Sequence, residues 1–220
     1  MNVIITGATG MVGKGVLLES LDNDRIKQIL LINRSSIDIK HPKIKEIIHK
    51  DFTDFSSIKH QFKGYNACFH CMGVSSAGIT NEQYYKFTYT FTEALVNALY
   101  ETNPNLTFIY VSGEGTDSTE KSKIMWARVK GKTENLIFNK GFKGAYAFRP
   151  GVILPKRGIK SKTKLYNLLY LITRPLFPIM QRMKSVTTTE KLGKAMLVLI
   201  EKPQNLKTLN GSEINNVLLN

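Results

Sequence analysis

The chain has 220 residues, 42% hydrophobic and 22% charged, which is the balance of a folded globular domain and excludes a disordered chain. That length suits one domain with a full core, or one domain carrying a small appended lobe. The formal charge is +14, yet the basic residues are seven arginines and 24 lysines spread along the whole length, a solvated surface with no module signature that would call for nucleic acid.

Asn2-Val3-Ile4-Ile5-Thr6 is a short β-branched run that reads as a strand. Gly7-Ala8-Thr9-Gly10-Met11-Val12-Gly13 follows directly, before a helix expected from about Gly13 to Leu21. Strand, glycine-rich turn and helix together hold the pyrophosphate of a dinucleotide. Gly7 turns the chain off the strand, Gly10 removes a Cβ where backbone must approach phosphate, and Gly13 lets the helix pack close to the sheet. The helix N-terminus then offers unpaired N–H groups and the positive end of its dipole to the anion. A P-loop is excluded, because Ala8 stands where its first glycine belongs and Gly15 replaces the Ser or Thr after Lys14.

A second strand is expected at Gln28–Asn33, and its end selects the nucleotide. An acid about 20 residues past the glycines bonds a ribose 2′-hydroxyl, whereas an arginine accommodates a 2′-phosphate. Here the turn is Asn33-Arg34-Ser35-Ser36, with no acid before Asp38. Arg34 pairs with phosphate through two N–H groups and Ser35 adds a donor, so NADP(H) is expected in preference to NAD(H). A third strand near Lys45–His49 leads to Asp51, placed to hold the adenine amino group, and to a short helix around Phe55–Phe62.

The fourth strand lies within Asn66–Gly73 and contains Cys68 and Cys71. Residues three apart on a strand face opposite ways, so this C-x-x-C reads as two core cysteines and not as a redox pair, and His70 is a poor zinc ligand for the same reason. A long helix over Asn81–Thr102, a strand at Leu106–Val111, a helix over Lys123–Phe138 and a strand at Gly144–Arg149 complete an alternation. Such alternation predicts an α/β fold with a doubly wound parallel sheet covered by helices on both faces.

Beyond Pro150 the pattern changes. Lys160–Lys184 is basic and apolar together, and a last helix near Thr189–Glu201 places Leu192, Met196, Leu197 and Leu199 on one side. Residues 151–220 are read as a substrate-side helical lobe that belongs to the single domain 1–220, with 1–150 as the nucleotide-binding core. Lys160–Lys184 reads as a substrate lid or homodimer interface in preference to a membrane-surface helix. The first strand uses up the only apolar run at the N-terminus, which excludes a secretory signal, and no stretch approaches the ~20 apolar residues of a spanning helix; a cytoplasmic address is expected.

These features together resemble the short-chain dehydrogenase/reductase superfamily, in its atypical, small NAD(P)H-binding, epimerase-like branch. The resemblance rests on the Thr6–Gly13 loop, Asn33-Arg34-Ser35, Asp51-Phe52, Cys71-Met72-Gly73, Val111-Ser112-Gly113, Lys130-Gly131 and Arg149-Pro150-Gly151. It implies a Rossmann sheet with the cofactor across the carboxyl ends of the strands. Thr9, Met11, Val12 and Phe52 would then contact the cofactor, Cys71, Met72 and Gly73 would lie against it, and Pro150, Val152 and Ile153 would line the nicotinamide pocket. Active members carry Ser, Tyr and Lys, the last two as Tyr-x-x-x-Lys, whose spacing puts both side chains on one helix face. Trp126 stands four residues before Lys130 here, where the tyrosine would be, and an indole N–H donates a hydrogen bond but exchanges no proton near neutral pH. Ser112, Trp126 and Lys130 are the candidate catalytic positions, with Lys130 also placed to bond the nicotinamide ribose. The residue after Ser112, often the catalytic hydroxyl, is Gly113, and Thr116 is a conceivable substitute. The resemblance implies an NADPH-dependent oxidoreductase on a small carbonyl or related molecule. The missing tyrosine implies the alternative, a non-catalytic NADP(H)-binding sensor or partner-binding protein.

Overall fold

The structure is a computed structural model, described over residues 1–160, 175, 177–180 and 182–219. Among these residues seven strands form one sheet: β1 (Asn2–Thr6), β2 (Gln28–Asn33), β3 (Ile44–Ile48), β4 (Ala67–His70), β5 (Thr107–Val111), β6 (Gly144–Arg149) and β9 (Thr208–Asn210). Their spatial order is β3-β2-β1-β4-β5-β6-β9, and every neighbouring pair is parallel. The central strands are apolar on both faces because both faces are covered. Val3, Ile5, Ile29, Leu31 and Phe69 join one core layer with Val16, Leu17, Leu192 and Met196. Ile4, Leu30, Ile32, Cys68 and Phe108 join the other with Leu95, Val96, Leu99 and Ile137. The first layer is roofed by α1 (Met11–Asp22) and α6 (Thr189–Glu201). The second is roofed by the long helix that starts with α2 (Asn81–Tyr85) and ends with α3 (Phe91–Thr102), and by α4 (Met125–Asn139).

The long helix keeps the bounds expected from the sequence but contains a π-helical turn, Lys86–Thr90. The helix expected over Phe55–Phe62 is only a 3₁₀ turn, Lys59–Phe62, although the buried Phe55, Ile58 and Phe62 keep helical spacing. Helix α1 starts at Met11, two residues earlier than expected, because Gly10 serves as its N-cap. Three short strands escaped the sequence pattern: the pair β7 (Ile153–Leu154) and β8 (Thr187–Thr188), and the sheet's seventh strand β9. Two or three residues carry no readable alternation, and pairing across the fold forms them. A short α5 (Phe177–Met180) precedes β8, and α7 (Gly211–Asn216) follows β9, started by a capping box between Asn210 and Glu213. Most of Lys160–Lys184, and with it the expected lid, interface or membrane-surface role, lies outside the described residues. No helix among the described residues is long and apolar enough to cross a membrane.

The strand order reverses direction between β1 and β4. In an open parallel sheet the loops leaving those two strands diverge to opposite faces and leave a crevice at the carboxyl edge. The glycine turn after β1 and the Cys71–Gly73 loop after β4 stand at that crevice.

Candidate functional site

Gly7 adopts φ +76°, a left-handed conformation that a side chain strains. A Cβ there would come within 2.7 Å of the Cys71 carbonyl carbon and the Met72 nitrogen, so the β4 loop lies directly on the turn. A Cβ on Gly13 would meet the Gly7 carbonyl carbon at 2.6 Å, so α1 packs on the same turn. The Gly10 N–H donates to the Gly7 carbonyl at 2.9 Å and closes the turn. No side chain caps α1, which leaves the N–H groups of Met11, Val12 and Gly13 to water or a ligand. Thr9, Gly10, Met11 and Val12 are all partly accessible around this cradle, whereas Gly13 is buried.

Across from the glycine turn, Arg34 and Ser35 are exposed on the loop leaving β2. Asn33 beneath them is only 3% exposed. Its amide nitrogen donates to Glu46 at 2.9 Å, and its Oδ1 has no partner. The exposed Asp51 carboxylate accepts from the backbone and hydroxyl of Thr53 at 2.9 and 2.6 Å, and those hydrogen bonds lower its pKa. Phe52 requires a correction. It is 2% exposed and packs edge-on against Phe55, so its side chain belongs to the core and not to a cofactor surface.

Ser112 also requires a correction. It is 3% exposed, and its hydroxyl donates to the buried carboxylate of Glu134, with the Phe148 carbonyl at 3.2 Å. Glu134 is fully buried and also held by Arg149, through Nε to the same oxygen, Oε1, at 3.0 Å and through Nη2 to Oε2. The hydroxyl is therefore an internal anchor, turned away from the crevice. What Ser112 does present is its carbonyl, which accepts from Lys130 Nζ. Lys130 and Glu134 stand one turn apart on α4. Burial lowers the Lys130 pKa, and the Glu134 carboxylate opposes that shift.

Lys130 Nζ lies 5.9 Å from the centroid of the Trp126 ring, so the Trp-x-x-x-Lys spacing does bring both residues to one face. Trp126 is partly exposed and packs on the turn at Gly115, where a Cβ would meet its ring at 3.0 Å. A Cβ on Gly113 would stand 3.4 Å from Lys130 Nζ and 3.9 Å from the Pro150 carbonyl. That is where a side-chain hydroxyl would face the lysine, and glycine supplies none. Thr116 does not replace it, because its hydroxyl donates to the Gly113 carbonyl at 2.7 Å. Tyr84 is buried. Tyr85 and Tyr89 pack around Lys132, which donates to the Tyr85 hydroxyl at 2.9 Å. Lys132 is two residues from Lys130 and so projects from the far side of α4; neither tyrosine fills the role. Pro150 is joined to the site loop by the Glu114 N–H at 3.1 Å. Val152 is exposed, and Ile153 is half-buried at the start of β7.

Sequence reasoning missed Glu134, although Lys130-x-x-x-Glu134 was a readable i, i+4 pair. It also missed Lys14, which follows the third glycine and lines a pocket with Ser35.

Glycine turn, switch-point crevice and a lysine bonded to the loop after β5 define a nucleotide-binding Rossmann protein of the short-chain dehydrogenase/reductase type. Residues 3–122 match the profile of the NAD dependent epimerase/dehydratase family, and the chain belongs to that family. It is 27% identical over 159 residues to Protein FMP52, mitochondrial, of Debaryomyces hansenii, which covers 71% of this chain and 69% of that protein. Among solved structures it resembles Gre2 of Candida albicans in complex with NADPH (TM-score 0.71, 15% identity, 96% of this chain and 78% of that one). It also resembles the UDP-glucuronic acid 4-epimerase of Bacillus cereus in complex with NAD (TM-score 0.69, 13% identity, 97% and 78%). At those identities the likeness is one of fold. The cytoplasmic address expected from the sequence is overturned by the FMP52 relatives, several of which are named as mitochondrial proteins; the want of a readable secretory signal did not bear on that alternative.

Proposed function

We propose that the chain binds NADP(H) in preference to NAD(H) and acts as an oxidoreductase on a small carbonyl or related compound. The observation that carries this reading is the Lys130 ammonium, held by the Ser112 carbonyl beside Trp126 at the loop that leaves β5. The dinucleotide fits the residues present: no side chain caps the N-terminus of α1, and the buried Asn33 Oδ1 lacks a donor. When bound, that cofactor supplies or accepts a hydride. The chain's own part is to bind and orient. The α1 N-terminus and the Gly7–Gly10 turn suit a pyrophosphate, Arg34 and Ser35 a 2′-phosphate, and Asp51 an adenine amino group. The structural neighbours named above hold NADPH in one case and NAD in the other, so the fold accepts either. The want of a carboxylate in the Arg34–Ser36 turn supports NADP(H). Lys130 keeps N–H groups for the nicotinamide ribose or a substrate oxygen, and Pro150, Val152 and Ile153 supply the apolar wall.

The buried Ser112 hydroxyl and Trp126 favour a second reading, a non-catalytic NADP(H)-binding sensor or partner-binding protein. Trp126 is the only tryptophan in the chain, so one titration serves both. NADPH should quench its emission saturably and at lower concentration than NADH. NADPH oxidation with any of a panel of aldehydes and ketones then supports the enzyme. Intact binding without turnover, with turnover gained in Trp126→Tyr, supports the sensor. No quenching and no calorimetric heat with either cofactor refutes both.

A further inference from the structure

Trp126 in the place of a tyrosine leaves one proton without a carrier. When an alcohol becomes a carbonyl, its O–H bond gives up a proton, and that proton needs a base. The side chains around Lys130 are mostly engaged elsewhere. The Ser112 hydroxyl donates to Glu134 and the Thr116 hydroxyl to the Gly113 carbonyl. The Glu134 carboxylate is buried and held by Ser112 and Arg149. Asp117 accepts from the Thr119 hydroxyl at 2.7 Å and from the backbone N–H groups of Lys121 and Ser122 at 2.8 and 2.7 Å. Glu120 accepts from Asn135 at 2.7 Å. Burial pushes the Cys71 thiol up to about 12, so it holds its proton.

Glu114 is the acid left over. It is exposed on the loop leaving β5, and its carboxylate makes no ion pair among the described residues. A glycine stands on each side of it in space. Gly113, at φ +126°, keeps the approach to Lys130 Nζ free of side chain. Gly151 makes room for the carboxylate itself: a Cβ there would stand 3.1 Å from the Glu114 carboxyl carbon and closer still to Oε2. The Glu114 N–H donates to the Pro150 carbonyl at 3.1 Å and fixes the root of the side chain to the same segment. Gly115, the next residue, packs on the Trp126 ring. Three consecutive loop residues thus meet Lys130, the Pro150–Gly151 segment and Trp126. An ammonium facing Gly113 and a free carboxylate on the following residue are the two groups a reacting oxygen needs, one to polarise it and one to take or return its proton.

We propose that Glu114 is the proton-transferring residue of this site, in the place of the absent tyrosine. This rests on the oxidoreductase reading above and extends it. In alcohol oxidation the substrate O–H bond breaks and its proton passes to the Glu114 carboxylate. The C–H bond of the same carbon breaks with its electron pair, which the oxidised nicotinamide cofactor accepts as hydride, and the C=O bond forms. Carbonyl reduction reverses the exchange, with protonated Glu114 as the acid. The substrate class is a small primary or secondary alcohol and its carbonyl partner.

The test compares the full wild-type chain with Glu114→Gln, Glu114→Ala and Gly151→Ala. Thermal melts establish that each folds, and Trp126 emission reads binding of NADP+ and NADPH. Turnover is read with ethanol, isopropanol and benzyl alcohol and with the matching carbonyls. Glu114→Gln should bind both cofactors as wild type does and lose about 100-fold or more in kcat. In Gly151→Ala the new methyl meets the end of a flexible side chain, so the chain should fold with its carboxylate displaced and lose about tenfold or more. Formate, a free carboxylate, should restore turnover to Glu114→Ala and leave wild type unchanged. Trifluoroethanol, an O–H donor that yields hydride poorly, gives a readout without turnover. Titrated into the NADP+ complex and followed by Trp126 emission, it should bind wild type about tenfold more tightly than Glu114→Gln, the worth of a hydrogen bond to a charged acceptor. Unchanged kcat and unchanged trifluoroethanol binding in Glu114→Gln overturn the assignment and leave the oxidoreductase reading standing. Lost turnover that formate does not restore makes the side chain structural and overturns it as well. A wild-type chain that binds cofactor but turns over none of these substrates refutes the oxidoreductase reading, and the assignment falls with it.

Discussion

Replacing His70 by glutamine should flatten the acid limb of the stability curve. His70 is fully buried on β4, with Nδ1 2.7 Å from the Thr6 hydroxyl and Nε2 3.0 Å from the Thr92 hydroxyl. Thr92 gives its own proton to the Thr88 carbonyl at 2.6 Å. It can therefore only accept from the ring, which assigns the proton to Nε2 and leaves Nδ1 to accept from Thr6. Neutral imidazole satisfies every partner. A second ring proton would face the Thr6 hydroxyl, and burial accordingly lowers the pKa from 6.5 to about 3. Because the folded value lies below the unfolded one, the contribution is nil at neutral pH. Stability is lost as pH falls below the unfolded value, where the unfolded chain takes up a proton that the native ring refuses. Integrated between pH 7 and pH 5, that uptake costs about 2 kcal/mol, and about 4 kcal/mol by pH 3. At roughly 2–4 °C per kcal/mol for a chain of this size, the melting point should fall by about 4–8 °C over the first interval. Urea unfolding of wild type and His70→Gln at half-unit steps from pH 7 to pH 5 reads the difference directly. The variant should be less stable at pH 7 by roughly 1–3 kcal/mol, with a shallower slope. Parallel curves would refute the buried neutral histidine.

Gly7→Ala places a methyl 2.7 Å from β4-loop backbone at φ +76°. It should cost about 2 kcal/mol or more in urea unfolding and abolish NADPH quenching of Trp126; a variant as stable as wild type would show that the loop gives way. Ser112→Ala should cost only about 1 kcal/mol, since Arg149 still holds Glu134, whereas Glu134→Ala leaves the Arg149 charge unpaired and should cost about 3 kcal/mol. Loss of turnover with stability intact in Ser112→Ala would restore that hydroxyl to the catalytic set. Burial raises both thiol pKa values, that of Cys71 to about 12, so a thiol reagent at pH 8 should label Cys68 only after unfolding and Cys71 far more slowly than a free thiol. Rapid labelling of native protein would contradict their placement.

The parallel sheet was legible because its code is local. Ile29–Ile32 and Phe108–Val111 are continuous apolar runs, as strands buried on both faces must be, and Gly7, Gly10 and Gly13 are spaced by the geometry of one turn. The bounds of β2, β6 and α6 follow directly from where those runs stop. Strand β9 was not legible, since three residues show no period and only the open edge of β6 makes them a strand. The Trp126–Lys130 pair was legible from helical spacing alone. The fate of Ser112 was not, because a serine after a strand reads the same whether its hydroxyl points into a crevice or under a loop.

The sequence by itself therefore determined the alternation of strand and helix, the glycine-rich turn after β1, the cation-bearing turn after β2 and the absence of a tyrosine four residues before Lys130. Each of these is written in residues within a few positions of one another. Only the tertiary structure decided that Phe52 belongs to the core and that Ser112 is spent on Glu134 and Arg149. It alone brought Lys14 to Ser35, and it alone buried His70 between two threonines. Those outcomes join residues 20 or more positions apart in the chain, and no local pattern records which of its polar groups a folded chain will use to satisfy another.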